Sequence, residues 1–148
     1  RAAVDAHIAL HLSEAAVAAW IADPERIVLV GAAADAPETL LGYAMYETAA
    51  TPEAPVTERL GDVPAGHLSK LYVLAEGRGT GLAEALVHDG VERLRRLGFR
   101  HVWLGTNAQN TRANRFYERL GFATIGARQF VVGGERVEDD WVRLLTVE

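Results

Sequence analysis

The chain contains no cysteine. That excludes a disulfide framework, a thiolate metal site and a thiol nucleophile able to carry a group covalently. Long hydrophobic runs are missing as well. None approaches the ~20 residues needed to cross a bilayer, although 49% of the 148 residues are apolar, enough for a core. Basic residues are in the minority, 15 Lys and Arg against 20 Asp and Glu, for a net charge of −5. Nucleic-acid binding calls for the opposite balance, and a cationic substrate such as an amine is favoured. No signal-peptide pattern is present, which together with the missing cysteines reads as a cytoplasmic protein. The chain starts at Arg1 instead of Met, and the expectation is that a segment precedes it. Its length is that of one domain, residues 1–148.

What is present is a regular alternation of elements. Val4, Ile8, Leu12, Ala15 and Ala19 recur at helical spacing over 3–22, and Asp23-Pro24 ends the run. The apolar run 27–33 and the weakly alternating run 40–48 predict a hairpin, with its turn at Asp35-Ala36-Pro37. Residues 49–65, with Pro52, Pro55, Gly61 and Pro64, read as a long loop. A strand over 67–74 leads to a helix over 80–97, whose predicted buried face is Ala83, Leu86, Val87, Gly90, Leu94 and Leu97. Gly98 is its left-handed cap. A strand over 101–105, a helix over 110–120 and strands over 123–132 and 138–145 around Gly133-Gly134 complete the chain. Strand, helix and strand in the middle imply a right-handed crossover, so 67–74 and 101–105 are expected to be parallel neighbours.

The chemistry is concentrated where the first of these two strands meets the long helix. There Leu71-Tyr72-Val73 is followed by Arg78-Gly79-Thr80-Gly81-Leu82-Ala83. The first turn of a helix has N–H groups without intrahelical partners, and the helix dipole adds positive charge at the same end. A phosphate there is held by both effects. Gly79 and Gly81 remove side chains that would hold it at a distance, and Arg78 supplies a permanent cation. A Gly-rich turn that binds nothing is the alternative. A Walker loop is excluded, since Gly81-Leu82-Ala83 lacks the Gly-Lys-Ser/Thr ending. A dinucleotide fingerprint is disfavoured, since its third small residue falls on Glu84.

The spacing Arg78-x-x-Gly81-x-Ala83 after Leu71-Tyr72-Val73 resembles the acyl-CoA loop of the GCN5-related N-acetyltransferase (GNAT) family. The later run Asn110, Ala113, Phe116-Tyr117 and Leu120-Gly121-Phe122 resembles that family's following helix. The resemblance covers residues 42–143. It implies a mixed α/β fold: a central, mostly antiparallel twisted sheet with a splayed parallel strand pair and flanking helices. It also implies that the family's first strand lies outside this chain.

Carried over residue by residue, the resemblance implies that acetyl-CoA is the co-substrate. Its pantetheine arm would lie along Leu71, Tyr72 and Val73. Its pyrophosphate would sit on the amides of Arg78, Gly79, Thr80, Gly81, Leu82 and Ala83. Asn110 would touch the arm or cap the helix, with Asn107 a weaker candidate. Tyr117 occupies the position of the family's general acid, where a phenol can protonate the departing thiolate; a core Tyr is the competing reading. His67 stands where several histone-acetylating members carry a catalytic Glu, and it titrates near neutrality, as a base must. Strand parity is expected to put it on one face with Ser69, Leu71 and Val73. Glu47 is a candidate for amine recognition or a second base, with Glu58 and Asp62 weaker candidates. Asp139-Asp140-Trp141-Val142 is faintly similar to polyamine-acetylating members. Family members are often homodimers.

Other clusters offer less. His7 and His11 are four apart, but no third ligand is evident, so no metal is expected. Arg93, Arg95 and Arg96 read as a solvated helix face, with contact to an adenosine 3′-phosphate as the alternative. Trp20, Trp103 and Trp141 read as core or interface residues. The resulting expectation is direct, ternary-complex acetyl transfer to a primary amine of a small molecule such as a polyamine, or of a peptide, without nucleic-acid or membrane partners. A non-catalytic acyl-CoA-binding regulatory module and an unrelated nucleotide-binding domain are the alternatives.

Overall fold

Alternating side chains sort the central strands onto two faces, and each face finds its own cover. The computed structural model describes residues 14–132 and 135–147. Among these, the chain runs α1 (Glu14–Ala22), β1 (Arg26–Ala33), β2 (Ala36–Glu47), α2 (Ala54–Leu60), β3 (Gly66–Val73), a 3-10 turn (Ala75–Gly77) and α3 (Leu82–Arg96). It continues with β4 (His101–Asn107), α4 (Thr111–Arg119), β5 (Ala123–Val132) and β6 (Glu135–Thr146). The strands form one six-stranded sheet in the order β1-β2-β3-β4-β6-β5. Every pairing is antiparallel except β3 with β4.

On one face Ala44, Tyr46, Leu68, Val102 and Leu104 pack under Leu86, Val87 and Leu94 of α3, with Phe122 alongside. Each large apolar side chain buried there contributes roughly 1.5–3 kcal/mol. Tyr46 donates from its hydroxyl to the Leu86 carbonyl at 2.9 Å. A Cβ on Gly90 would lie 2.0 Å from the Tyr46 ring, so the glycine is what lets α3 approach β2. The opposite face carries Ala65, Trp103, Val142 and Leu144, covered by Val56 of α2. Here Trp20 of α1 stacks on Tyr43, ring centroids 6.2 Å apart.

Helix α3 ends as its sequence predicts. Arg93, Arg95 and Arg96 lie in the last turn, where the dipole favours cations. Gly98 takes φ 100°, and Phe99 N–H returns to the Leu94 carbonyl at 3.0 Å. Leu97, however, is 63% exposed, because it lies beyond the last helical residue and turns away with the cap.

Three further expectations give way. The stretch 49–65 contains α2, which has Pro in its first turn, buries Val56 and is stopped by Gly61 at φ 60°. Seven residues give too few repeats for the period to be legible. The hairpin turn falls at residues 34–35, and Pro37 lies inside β2 at its pairing-poor end. The parity of β3 is broken: Met45 pairs with Lys70 but Tyr46 pairs with Leu68, leaving Ser69 as the extra residue of a β-bulge. Leu71 and Val73 therefore join Leu68 on the α3 face, while His67, Lys70 and Tyr72 face the other way. His67 does not share a face with Leu71 and Val73. The predicted helix 3–22 is helical from Glu14; its earlier part, with His7 and His11, and the Gly133-Gly134 turn lie outside the described residues.

Candidate active site

Strands β3 and β4 start side by side and then part. Their register is Gly66 with Val102 and His67 with Trp103, and no pairing follows. From residue 68 onward the β4-facing edge of β3 has lost its strand partner, and its N–H and C=O groups need another. Two clefts open where the strands diverge. The larger, of 660 Å³, is bounded by Leu71, Tyr72 and Val73 on one side and by the start of α3 and one flank of α4 on the others. The smaller, of 270 Å³, lies in the fork between residues 68–72 and Leu104-Gly105, with Tyr43 on its wall. Tyr117 lines both.

The mouth of the larger cleft is the Gly-rich turn. Gly79 and Gly81 have φ 76° and 83°, left-handed values that a side chain would strain. Such left-handed residues in a turn are the backbone geometry from which anion-binding concavities of successive N–H groups are built. The amide of Arg78 is committed to the Ala75 carbonyl at 3.2 Å, and that of Leu82 reaches Thr80 Oγ1 at 3.3 Å. The Thr80 hydroxyl donates to the Gly77 carbonyl. Gly79, Gly81, Leu82 and Ala83 line the cleft at this turn. Cations at this cleft are Arg78 and also Arg112 and Arg119 of α4, which the sequence reading missed. Their signal was present in the run Thr111-Arg112-Ala113-Asn114-Arg115-Phe116-Tyr117-Glu118-Arg119, where they sit on either side of Tyr117. Arg93, Arg95 and Arg96 do not line the cleft, and Glu92 engages Arg95 at 2.7 Å and Arg96 at 3.2 Å.

Helix α4 is fixed by polar contacts at its base. Asn110 caps it, accepting from Ala113 N–H at 3.1 Å, and also borders the larger cleft, so both of its expected roles are compatible. Asn107 accepts from Gln109 N–H at 2.8 Å in the preceding turn and does not line the cleft. Asn114, overlooked in the sequence, is buried. Its amide donates to the carbonyls of Asn107 and Asn110 at 3.0 and 2.9 Å and accepts from Arg143 at 3.1 Å. Arg143, 2% exposed, also donates to the Phe122 carbonyl and to Glu118.

Tyr117 sits edge-on to Phe116 and Phe122, with ring centroids 5.2 and 5.7 Å away. Burial pushes its phenol up to about 12, because the charged form is poorly solvated there. It is therefore protonated at neutral pH and able to donate.

On the opposite face of the sheet, His67 stacks on Trp103 at 3.9 Å, at the last paired position before the fork. Its Nδ1 lies 3.2 Å from Glu47 Oε1. Burial lowers the His67 pKa, and the Glu47 carboxylate offsets part of that shift. With Nδ1 as donor to Glu47, Nε2 carries the lone pair. Neither residue lines the clefts themselves. Beside them Arg128 bridges Glu53 at 2.6 Å and Asp140 at 2.8 Å. Asp140, of the segment similar to polyamine-acetylating members, is thereby paired with Arg128. Glu58 and Asp62 are exposed, and Trp141 is 37% exposed. Among the described residues there is no cluster of three His, Asp or Glu that could hold a metal ion, and no helix is long and apolar enough to cross a membrane.

Residues 5–122 match the acetyltransferase (GNAT) family. The uncharacterized N-acetyltransferase Rv2669 of Mycobacterium tuberculosis is 37% identical over 132 residues, covering 89% of this chain and 74% of that one. Among solved structures, Arabidopsis thaliana NAA60 in complex with a bisubstrate analogue superposes with a TM-score of 0.76 at 17% identity, covering 97% of this chain and 92% of its own. A GNAT family acetyltransferase from Elizabethkingia anophelis with acetyl-CoA bound gives 0.64 at 12% identity, covering 95% and 88%. At such identities the structural likeness speaks for the fold.

Proposed function

The chain belongs to the acetyltransferase (GNAT) family, and we propose that it moves an acetyl group from acetyl-CoA directly to a primary amine, of a small molecule or a peptide. The observation that carries this reading is that Tyr117 borders both clefts. A group there can touch the sulfur of a thioester lying in one while an amine enters from the other.

The larger cleft suits the cofactor. Amides of Gly79, Thr80, Gly81 and Ala83 with the Arg78 guanidinium take the pyrophosphate. The open edge of β3 at Leu71, Tyr72 and Val73 takes the amide-bearing pantetheine arm as a strand takes a partner. The amine nitrogen, once neutral, attacks the thioester carbonyl. Backbone donors of β3 hold the oxyanion. The C–S bond then breaks, the departing thiolate receives the Tyr117 proton, and the tyrosinate regains a proton from the nitrogen of the new amide. His67 Nε2 accepts the proton that the ammonium must lose, through a bridging water, since the ring stands one position short of the cleft. Glu47 keeps the imidazole in that tautomer, a role in positioning instead of direct amine recognition. No cysteine is available for an acetyl-enzyme.

The test is Tyr117→Phe, assayed for free-thiol release over a panel of amines. Turnover should fall roughly 10²-fold or more, with acetyl-CoA affinity retained. A wild-type protein that binds acetyl-CoA but acetylates no amine would support the regulatory-module alternative instead.

A further inference from the structure

The smaller cleft holds a cation that the transfer reaction does not use. Lys70 lines it together with Tyr43 and Tyr72. The bulge at Ser69 is what points Lys70 to this face. The side chain is half-buried, and its ammonium lies 6.0 Å from the Trp20 ring centroid. Among the described residues no carboxylate pairs with it. The acids on the same face are committed elsewhere, Glu47 to His67, and Glu53 and Asp140 to Arg128. A partly desolvated ammonium facing a cleft without an anion is unfavourable, and an anionic ligand relieves that. Tyr43, 1% exposed, has its phenol pushed up by burial and by Tyr72, so it stays uncharged at the same wall.

Resting on the acetyltransferase reading above, we propose that the acceptor carries a carboxylate bound by Lys70 besides the amine that is acetylated. The acceptor class is a compact amino acid-like molecule. A polyamine would bring a second ammonium against Lys70, where like charges repel. The 270 Å³ cleft is below the usual range for drug-sized ligands, as a compact acceptor requires.

Matched pairs test this: L-lysine with cadaverine, L-phenylalanine with 2-phenylethylamine, and O-phosphoethanolamine with ethanolamine. Each is titrated calorimetrically into the CoA-loaded protein and separately assayed for acetylation. The expected result is that the two carboxylates bind at least tenfold more tightly than their decarboxylated partners. Lys70→Met should erase that difference and Lys70→Arg should keep it. Acetyl-CoA affinity is measured in each variant as the control. Equal binding within the pairs, preference for the decarboxylated members, no binding by any member, or a preference that survives Lys70→Met overturns the proposal. Preference confined to the phosphate pair overturns the carboxylate assignment. Failure of acetyl-CoA to bind, or carboxylate selectivity without turnover, counts against the transferase reading and is separate from the Lys70 result.

Discussion

The buried amide of Asn114 and the buried guanidinium of Arg143 share a 3.1 Å hydrogen bond between α4 and β6. Through it, the helix that carries Tyr117 is tied to β6, between β4 and the edge strand β5. Asn114→Ala would leave the Asn107 and Asn110 carbonyls and one Arg143 donor without this partner. A destabilisation of about 1–3 kcal/mol is expected, more if the orphaned groups stay dry. Urea unfolding measures it. Turnover should fall further than stability alone explains, since the Tyr117 hydroxyl loses its alignment. Unchanged stability would show that water replaces the amide without loss.

The pH profile should reflect His67. Burial lowers its pKa below the ordinary 6.5, with Glu47 offsetting part of the shift and Arg128 adding to it. Activity is therefore expected to rise with pH through a midpoint below 6.5 and to be level at neutrality. Glu47→Gln removes the offsetting charge, so the midpoint should move lower still, with reduced turnover on the plateau. The sign for stability is the same. As pH falls through 6.5 the unfolded chain binds the proton first, so the contribution of neutral His67 is lost between the unfolded and folded values. A profile in His67→Gln identical to that of the wild type would exclude the residue as base.

Arg78 is exposed, so its contact with the cofactor should be screened by salt. Arg78→Ala should weaken acetyl-CoA binding by roughly 1.5 kcal/mol, about tenfold, at low ionic strength. The loss should shrink at high salt. Calorimetry in two buffers reads both. Equal affinities at low salt would count against the phosphate site.

Gly90→Ala places a methyl carbon where the Tyr46 ring lies. Either the ring or α3 must move, and the Tyr46 hydrogen bond to Leu86 moves with it. A cost of at least ~1–3 kcal/mol is expected from overpacking. Thermal unfolding should show a clear drop in Tm, and Tyr46→Phe alone should not reproduce it.

Much of this molecule was legible before folding because its signals are local. Gly98 announced its own cap, and Asn110 its own helix start, since each acts on neighbouring backbone groups. The parallel pair followed from chain connectivity and handedness. The Gly79 and Gly81 turn followed from what a phosphate requires of a helix start. Helix α2 escaped because seven residues carry barely two turns of pattern. The face of His67 was misjudged because one extra residue, Ser69, reverses every side chain beyond it, and a bulge leaves no mark in composition. Asn114 looked like a solvated polar residue because its partner, Arg143, is 29 residues away.

The amino-acid sequence by itself determined the sheet-and-helix alternation, the Gly-rich turn and the tyrosine that follows it, because hydrophobic period, glycine and chain order act over a few residues. Tertiary structure alone decided that Tyr117 stands between two clefts, that Glu47 meets His67 and that Lys70 faces the smaller cleft. Those relations depend on where β3 leaves β4 and on a single bulge, and so on strand pairings made between distant parts of the chain.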